Sequence, residues 1–282
     1  MRTYAECIPC FLRQALEAAR MASPDEAVHE RVVREVARAA GSMEMRSTPP
    51  EMAQVIHRAV REASGVTDPY RELKSRSNRA ALSVYPRLAR DVAAAGDPFE
   101  AALRFAIVGN IIDCGTGNHI PPEALDREIE AAWRPKLDTG RVGALRSKLE
   151  EAGRVLYLGD NAGEIVFDRL LLEQIDPSRV TFVVRGAPVL NDATIEDAAA
   201  AGLTEMIEVI ANGSDAPGTI LSDCSAAFVK RFRDADLVIA KGQGNFESLE
   251  REPGRVFFVL QAKCPVIARD LGCEVGDFIV TD

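Results

Sequence analysis

At 282 residues and 47% hydrophobic content, the chain is long enough for one large domain or two ordinary ones, and apolar enough for a real core, which excludes disorder. Forty-three acidic residues against 34 basic ones give a net charge of −9 and a pI near 5.1, which argues against nucleic acid or an anionic membrane as the main partner. No apolar run approaches the roughly 18 to 20 residues of a membrane span, and the segment Met1 to Glu6 lacks the apolar stretch of a signal peptide, so a cytoplasmic protein is expected.

Along the first 150 residues the pattern is helical. Three helix starts are written as capping boxes with proline at the first helical position: Ser23-Pro24-Asp25-Glu26, Thr48-Pro49-Pro50-Glu51 and Asp97-Pro98-Phe99-Glu100. Glu30 to Ala40 and Ala124 to Trp133 read as amphipathic helices. From Gly153 onward the texture changes to short β-branched and aromatic runs, each followed by a helical segment. The runs are Arg154 to Gly159, Val180 to Arg185, Met206 to Ala211, Leu237 to Ala240 and Val256 to Leu260. Strands alternating with helices predict right-handed crossovers and an α/β fold: a Rossmann-like, mostly parallel sheet with helices on both faces, preceded by an all-α domain. The division falls at 1–150 and 151–282, with the helix Arg141 to Ala152 as the junction.

In an open parallel sheet, ligands bind outside the carboxyl ends of the strands. Here those ends are unusually polar. Strand one runs into Asp160, Asn161 and Glu164, strand two into Arg185 and then Asp192, and strand four into Lys241, Gly242 and Asn245. Asp160, Asn161 and Asp192 form a hard oxygen-donor set suited to Mg²⁺ or Mn²⁺. Either aspartate alone would be read as a helix cap; the two at adjacent strand ends point to a metal. Lys241 is expected to reach the crevice while the glycine-flanked backbone after it approaches an anion such as phosphate. A lysine at a strand end beside an ordinary turn is the plain alternative. Arg185 could hold phosphate in a bidentate fork or form a surface ion pair.

In the helical half, Asn110 and Asp113 stand three apart in an apolar run, where burial without partners is costly. They either line the cleft or are a satisfied core amide and helix-end chemistry. Cys7-Ile8-Pro9-Cys10 has a metal-like spacing without a second pair, and two unrelated buried thiols are the reading preferred for it. The six cysteines do not make a disulfide scaffold, and most are expected to be reduced. His29, His57 and His119 have no metal-ligand spacing.

Taken together, Asp160 to Asp168, Gly186 to Thr194, Lys241 to Asn245 and Lys263-Cys264 resemble the damage-control phosphatase family, formerly a domain of unknown function. Cys7 to Cys10 and Gly109 to Asp113 extend the likeness over nearly the whole chain. It looks most similar to the short, stand-alone, CxxC-bearing branch of archaea and bacteria. The resemblance implies a helical domain packed on a Rossmann-like one, metal ligands Asp160, Asn161 and Asp192, and a phosphate contact from Lys241. It also implies a divalent metal (Mn, Co, Ni or Mg) and small phosphorylated metabolites as substrates, among them sugar phosphates, phosphopantetheine-like compounds and damaged forms of these. Glu164, Arg185, Gly242, Asn245, Asn110 and Asp113 are the candidate substrate-binding residues. Two rival readings are an S-adenosylmethionine-dependent carboxyl methyltransferase and a non-catalytic phosphometabolite-binding protein. The turn Gly159-Asp160-Asn161-Ala162-Gly163 argues against the first, since it offers a carboxylate and an amide where a nucleotide-type cofactor prefers a glycine loop.

Overall fold

The computed structural model describes residues 1–109, 126–127, 129–130, 133–252 and 254–282. Among the described residues, six long helices precede the sheet: α1 (Cys7–Ala22), α2 (Glu26–Ser42), α3 (Pro49–Ser64), α4 (Arg71–Ala94), α5 (Pro98–Val108) and α6 (Thr139–Glu151). Thr48 starts α3 with a full capping box, accepting from the Glu51 N–H while Glu51 Oε2 accepts from the Thr48 N–H. At α5 only half of the box forms. Asp97 accepts from the Glu100 N–H at 3.1 Å, but the Glu100 carboxylate turns to Arg104 Nε at 3.0 Å. At α2 the cap moves to Asp25, which accepts from the Ala27 N–H, so the helix begins after Pro24 rather than at it. Ser23 is extended, as a residue before proline tends to be, and its N–H already closes α1 on Ala19 O.

The sheet strands are β1 (Val155–Leu158), β2 (Val180–Val184), β3 (Glu208–Ala211), β4 (Leu237–Lys241), β5 (Val256–Gln261) and β6 (Phe278–Thr281). Their order is β3-β2-β1-β4-β5-β6, parallel except for β6, which pairs antiparallel with β5. The expected α/β, mostly parallel sheet is therefore present, with one antiparallel edge strand added. Between the strands run α7 (Glu164–Leu172), α8 (Ile195–Ala200), α9 (Ala226–Asp234), α10 (Gly242–Leu249) and α11 (Pro265–Leu271).

Alternation along each central strand divides the interior into two layers. Val155, Tyr157, Leu237, Ile239, Phe257 and Val259 face a core shared with α4 to α8. Leu156, Leu158, Val238, Ala240, Phe258 and Leu260 face a second core under α9, α10 and α11. Strands buried on both faces read as continuous apolar runs, which is why the sequence showed them clearly. A third core, around Phe11, Val32, Ile56 and Leu73, belongs to α1, α2, α3 and the start of α4. The strand order reverses direction between β1 and β4, and that switch point is where a crevice opens. Among the described residues no helix is long and apolar enough to cross a membrane.

Candidate active site

Asp160 and Asn161 leave the carboxyl end of β1 at the switch point. The loop after β2 returns to them, with Ala162 N–H bonded to Asn191 O and Ala193 N–H to Asp160 O, both at 2.8 Å. The result is an isolated antiparallel bridge between Asn161 and Asp192. The adjacent Asp160 and Asn161 thus lie beside Asp192, 32 residues beyond Asp160 in the chain, and all three are buried. Asn161 Nδ2 donates to Asp160 Oδ2 and to Glu164 Oε2, each at 3.1 Å, which leaves Oδ1 as the amide atom suited to a cation. Across the switch point, Gly242 has φ +77°, and a Cβ there would overlap the Asp160 carboxylate.

Arg185 is 2% exposed and serves this cluster from behind. Its Nε donates to Asp192 Oδ2 at 2.6 Å, its Nη2 to Asp160 Oδ1 at 3.4 Å and its Nη1 to Asn245 Oδ1 at 3.2 Å. Burial works against its charge, but the Asp192 and Asp160 carboxylates outweigh it and hold the guanidinium protonated. An ion pair is observed, but a buried one rather than the surface pair that the sequence suggested. Asn245 also accepts from Thr219 Oγ1 at 2.8 Å and donates to Lys241 O at 2.7 Å, so it braces the strand end. Leu190 adopts φ +47°, a conformation that costs roughly 1–3 kcal/mol in a residue with a side chain. Its packing against the core of α1 to α3 holds the Asn191-Asp192 segment in place.

Lys241 does not point into the crevice. It follows Leu237 and Ile239 in the alternation and so faces the layer under α5 and α7. There its ammonium meets Glu164 Oε1 and Asp168 Oδ1 at 2.7 Å and Ala106 O at 2.8 Å, which uses its three donors. Burial opposes the charge, and Asp168 and Glu164 more than restore it. Asp168, bonded also by Tyr157 Oη at 2.8 Å, is pushed up to about 6, chiefly by burial. The expectation that Lys241 touches phosphate directly is corrected on this ground: its geometry is that of a buried counter-ion for Glu164.

A cavity of about 550 Å³ opens in front of Asp160, Asn161 and Asp192, walled by α1, α3, α10 and the start of α11. The exposed Lys263, just after β5, lines it and lowers the Asp160 pKa through space, against the larger raising effects of burial and of Glu164 and Asp192. Cys7 and Cys10 sit on the cavity wall in the first turn of α1, so they are not the unrelated buried thiols expected. Cys10 is exposed, and burial pushes the Cys7 thiol up. Lys263 and Glu247 both lie in segments that follow strand ends, and the sequence gave neither a role; Glu247 lines the same cavity and is pushed up to about 7 by burial. Asn110 and Asp113, like His119, lie outside the described residues. A larger groove of about 890 Å³ runs along the amino ends of the strands, where parallel sheets do not place their chemistry, and holds none of the predicted residues.

The donor set fits a hard divalent cation. Two carboxylates and an amide oxygen converge, although among the described residues no group of three His, Cys, Asp or Glu side chains is arranged as a metal cage. Asp160, Asp192, Glu164 and Asp168 are all buried, against the two buried cations Arg185 and Lys241, a formal excess of two negative charges that one such ion would balance.

Comparison with known proteins identifies the family. The family model of the damage-control phosphatase ARMT1-like domain matches residues 3–279. A damage-control phosphatase of Archaeoglobus fulgidus is 37% identical, over 97% of this chain and 96% of that protein. One from Pyrococcus horikoshii is 34% identical, over 99% and 97%. An uncharacterized protein of Methanocaldococcus jannaschii is 36% identical, over 98% and 93%. The crystal structure of the Pyrococcus horikoshii DUF89 family protein superposes with a TM-score of 0.90 at 33% identity, covering 100% of this chain and 99% of that one. On likeness that runs from end to end in both sequence and fold, the chain belongs to the damage-control phosphatase ARMT1-like family.

Proposed function

We propose that the protein is a metal-dependent phosphatase of small phosphorylated metabolites, with Asp160, Asn161 and Asp192 holding a divalent Mn, Co, Ni or Mg ion. The observation that carries this reading is the pair of buried carboxylates zipped together at the switch point and opening on one cavity. When bound, the ion would neutralise charge on the phosphoryl group and polarise its oxygens. The chain's own residues do the rest. Lys263 takes the role of anion anchor that the sequence suggested for Lys241, helped by the N-terminal turn of α10, where Gln243 and Gly244 line the cavity. Arg185 aims Asp160 and Asp192, while Lys241 fixes Glu164, which in turn orients the Asn161 amide.

Water, not Asp160, is the phosphoryl acceptor in this reading. Asp160 is already engaged by Arg185 and Asn161 and pressed against Gly242, which leaves it poorly placed to form a covalent intermediate. The methyltransferase alternative is not favoured, because the turn after β1 presents that carboxylate where a nucleotide-type cofactor needs an open glycine loop.

The test is phosphate release from p-nitrophenyl phosphate and a panel of metabolite phosphates, with Mn²⁺, Co²⁺, Ni²⁺ and Mg²⁺ in parallel. Activity is expected to require metal and to vanish in Asp160→Ala and Asp192→Ala while the circular dichroism spectrum stays that of the parent. Phosphate binding without turnover under any metal would overturn the enzymatic reading in favour of a binding protein. Label from ¹⁸O water entering phosphate in a single turnover, with none in Asp160, is the expected signature of direct attack.

A further inference from the structure

One of the contacts by which the helical half meets the site is a buried amide. Asn78, on α4 and 3% exposed, accepts the Gly163 N–H on Oδ1 at 2.6 Å and donates from Nδ2 to Asp197 Oδ1 at 3.1 Å. Gly163 closes the turn that carries Asp160 and Asn161. It has φ +81°, and a Cβ there would come within 2.9 Å of Ser77 Cβ, so α4 lies directly on the turn. Asp197 belongs to the other segment. Its Oδ2 accepts from Thr194 N at 3.0 Å and Thr194 Oγ1 at 2.8 Å, which caps α8 two residues after Asp192. Lys74, one turn earlier on α4, balances the buried charge, with Nζ 3.2 Å from Asp197 Oδ2 and 2.9 Å from Asp68 Oδ2.

We infer that Asn78 is a positioning residue for the cation site: it fixes the Asp160-Asn161 turn and the Asp192 loop relative to each other, from the side opposite the cavity. The inference rests on the metal-dependent reading above. The chemistry explains why an asparagine stands here. One of the two partners is a donor and the other an anionic acceptor, and only a carboxamide of this length serves both at once. Leucine, nearly isosteric, serves neither. An ionised aspartate would still accept from Gly163 but would face the Asp197 carboxylate across about 3 Å. Partners that orient ligand-bearing segments without touching the ion typically change its affinity by about 10–100-fold when removed.

The test measures Mn²⁺ binding by calorimetry alongside phosphatase kinetics in the full chain. N78L and N78D are expected to weaken Mn²⁺ binding by about 10–100-fold. They should raise the Mn²⁺ concentration needed for half-maximal activity and lower kcat, with KM for the phosphomonoester within about threefold of the parent at saturating metal. The exchanged pair N78D/D197N restores one donor and one acceptor across the contact and is expected to recover most of the affinity lost in N78D, which a role in general stability would not produce. N78L folded and binding Mn²⁺ within twofold of the parent would overturn the inference, as would an exchanged pair no better than N78D. If N78L fails to fold, N78D and the exchanged pair decide alone. A parent protein that binds no Mn²⁺ would sink the metal-dependent reading itself and this inference with it, whereas parent and variants binding alike would sink only the inference.

Discussion

Two buried cations stand at the carboxyl edge of the sheet, one on each face, and they do different work. Lys241, under α5 and α7, is sealed among Glu164, Asp168 and Ala106 O, with every donor spent on protein. Arg185, on the opposite face, spans Asp160 and Asp192, which border the cavity. The first is a structural counter-ion whose loss nothing from solution can repair. The second shares its carboxylates with whatever enters the cavity. Burial alone therefore does not separate scaffold from site; the side of the sheet does.

The contrast can be broken most severely at Lys241. Lys241→Met leaves Glu164 and Asp168 buried with no cation and is expected to cost about 3–5 kcal/mol, read as a lowered urea midpoint. Added Mn²⁺ should not recover it, and full recovery would show that the two compartments are one. At Gly242, the substitution Gly242→Ala forces the Asp160 carboxylate aside and is expected to lower kcat/KM by about 10²-fold, with a smaller effect on thermal unfolding. Arg185→Met is expected to destabilise the metal-free protein by about 1.5–3 kcal/mol, and Mn²⁺ should return most of that loss, since a divalent ion can stand in for the missing charge. An unchanged deficit with metal would erase the distinction drawn between the two cations.

The smallest effect concerns a buried base outside both compartments. His57 lies fully buried against Tyr70, its Nε2 without a hydrogen-bond partner among the described residues, and burial lowers its pKa from 6.5 to about 3. The unfolded chain takes up a proton below pH 6.5 that the folded chain refuses until about pH 3. Stability from this group is therefore present above pH 6.5 and lost as pH falls toward 3, at no more than about 1.4 kcal/mol per pH unit. Denaturant midpoints followed from pH 7 to 4 should fall less steeply in His57→Leu than in the parent, and parallel curves would contradict the assignment.

Much of this was legible in the sequence. Four strands announced themselves because burial on both faces leaves largely uninterrupted apolar runs, β3 showed only as a short β-branched run at the edge of the sheet, and Thr48 and Asp97 marked their helices by cap chemistry. The strand β6 was missed: it is four residues long and lies antiparallel at the edge of the sheet, next to the end of the chain. Ser23 misled because it was already committed to ending α1. Asp160, Asn161 and Asp192 were found as strand-end residues, and the structure brings them together. Lys241 was found for the same reason and given the wrong partner, although counting back by twos through Ile239 and Leu237 places it on the other face. Asn78 offered no local signal at all, since its partners are 85 and 119 residues away along the chain.

The short bridge between Asn161 and Asp192 has a practical consequence for protein engineering. It couples two strand-end segments into one body, with Gly242 as the floor beneath them and Asn78 as the clamp behind. Grafting only the Asp160-Asn161 turn onto another doubly wound sheet would leave behind the Asp192 segment to which it is bridged. To carry the chemistry, a recipient scaffold must receive four pieces from distant parts of the chain together, one of them from a helix that never touches the cavity wall.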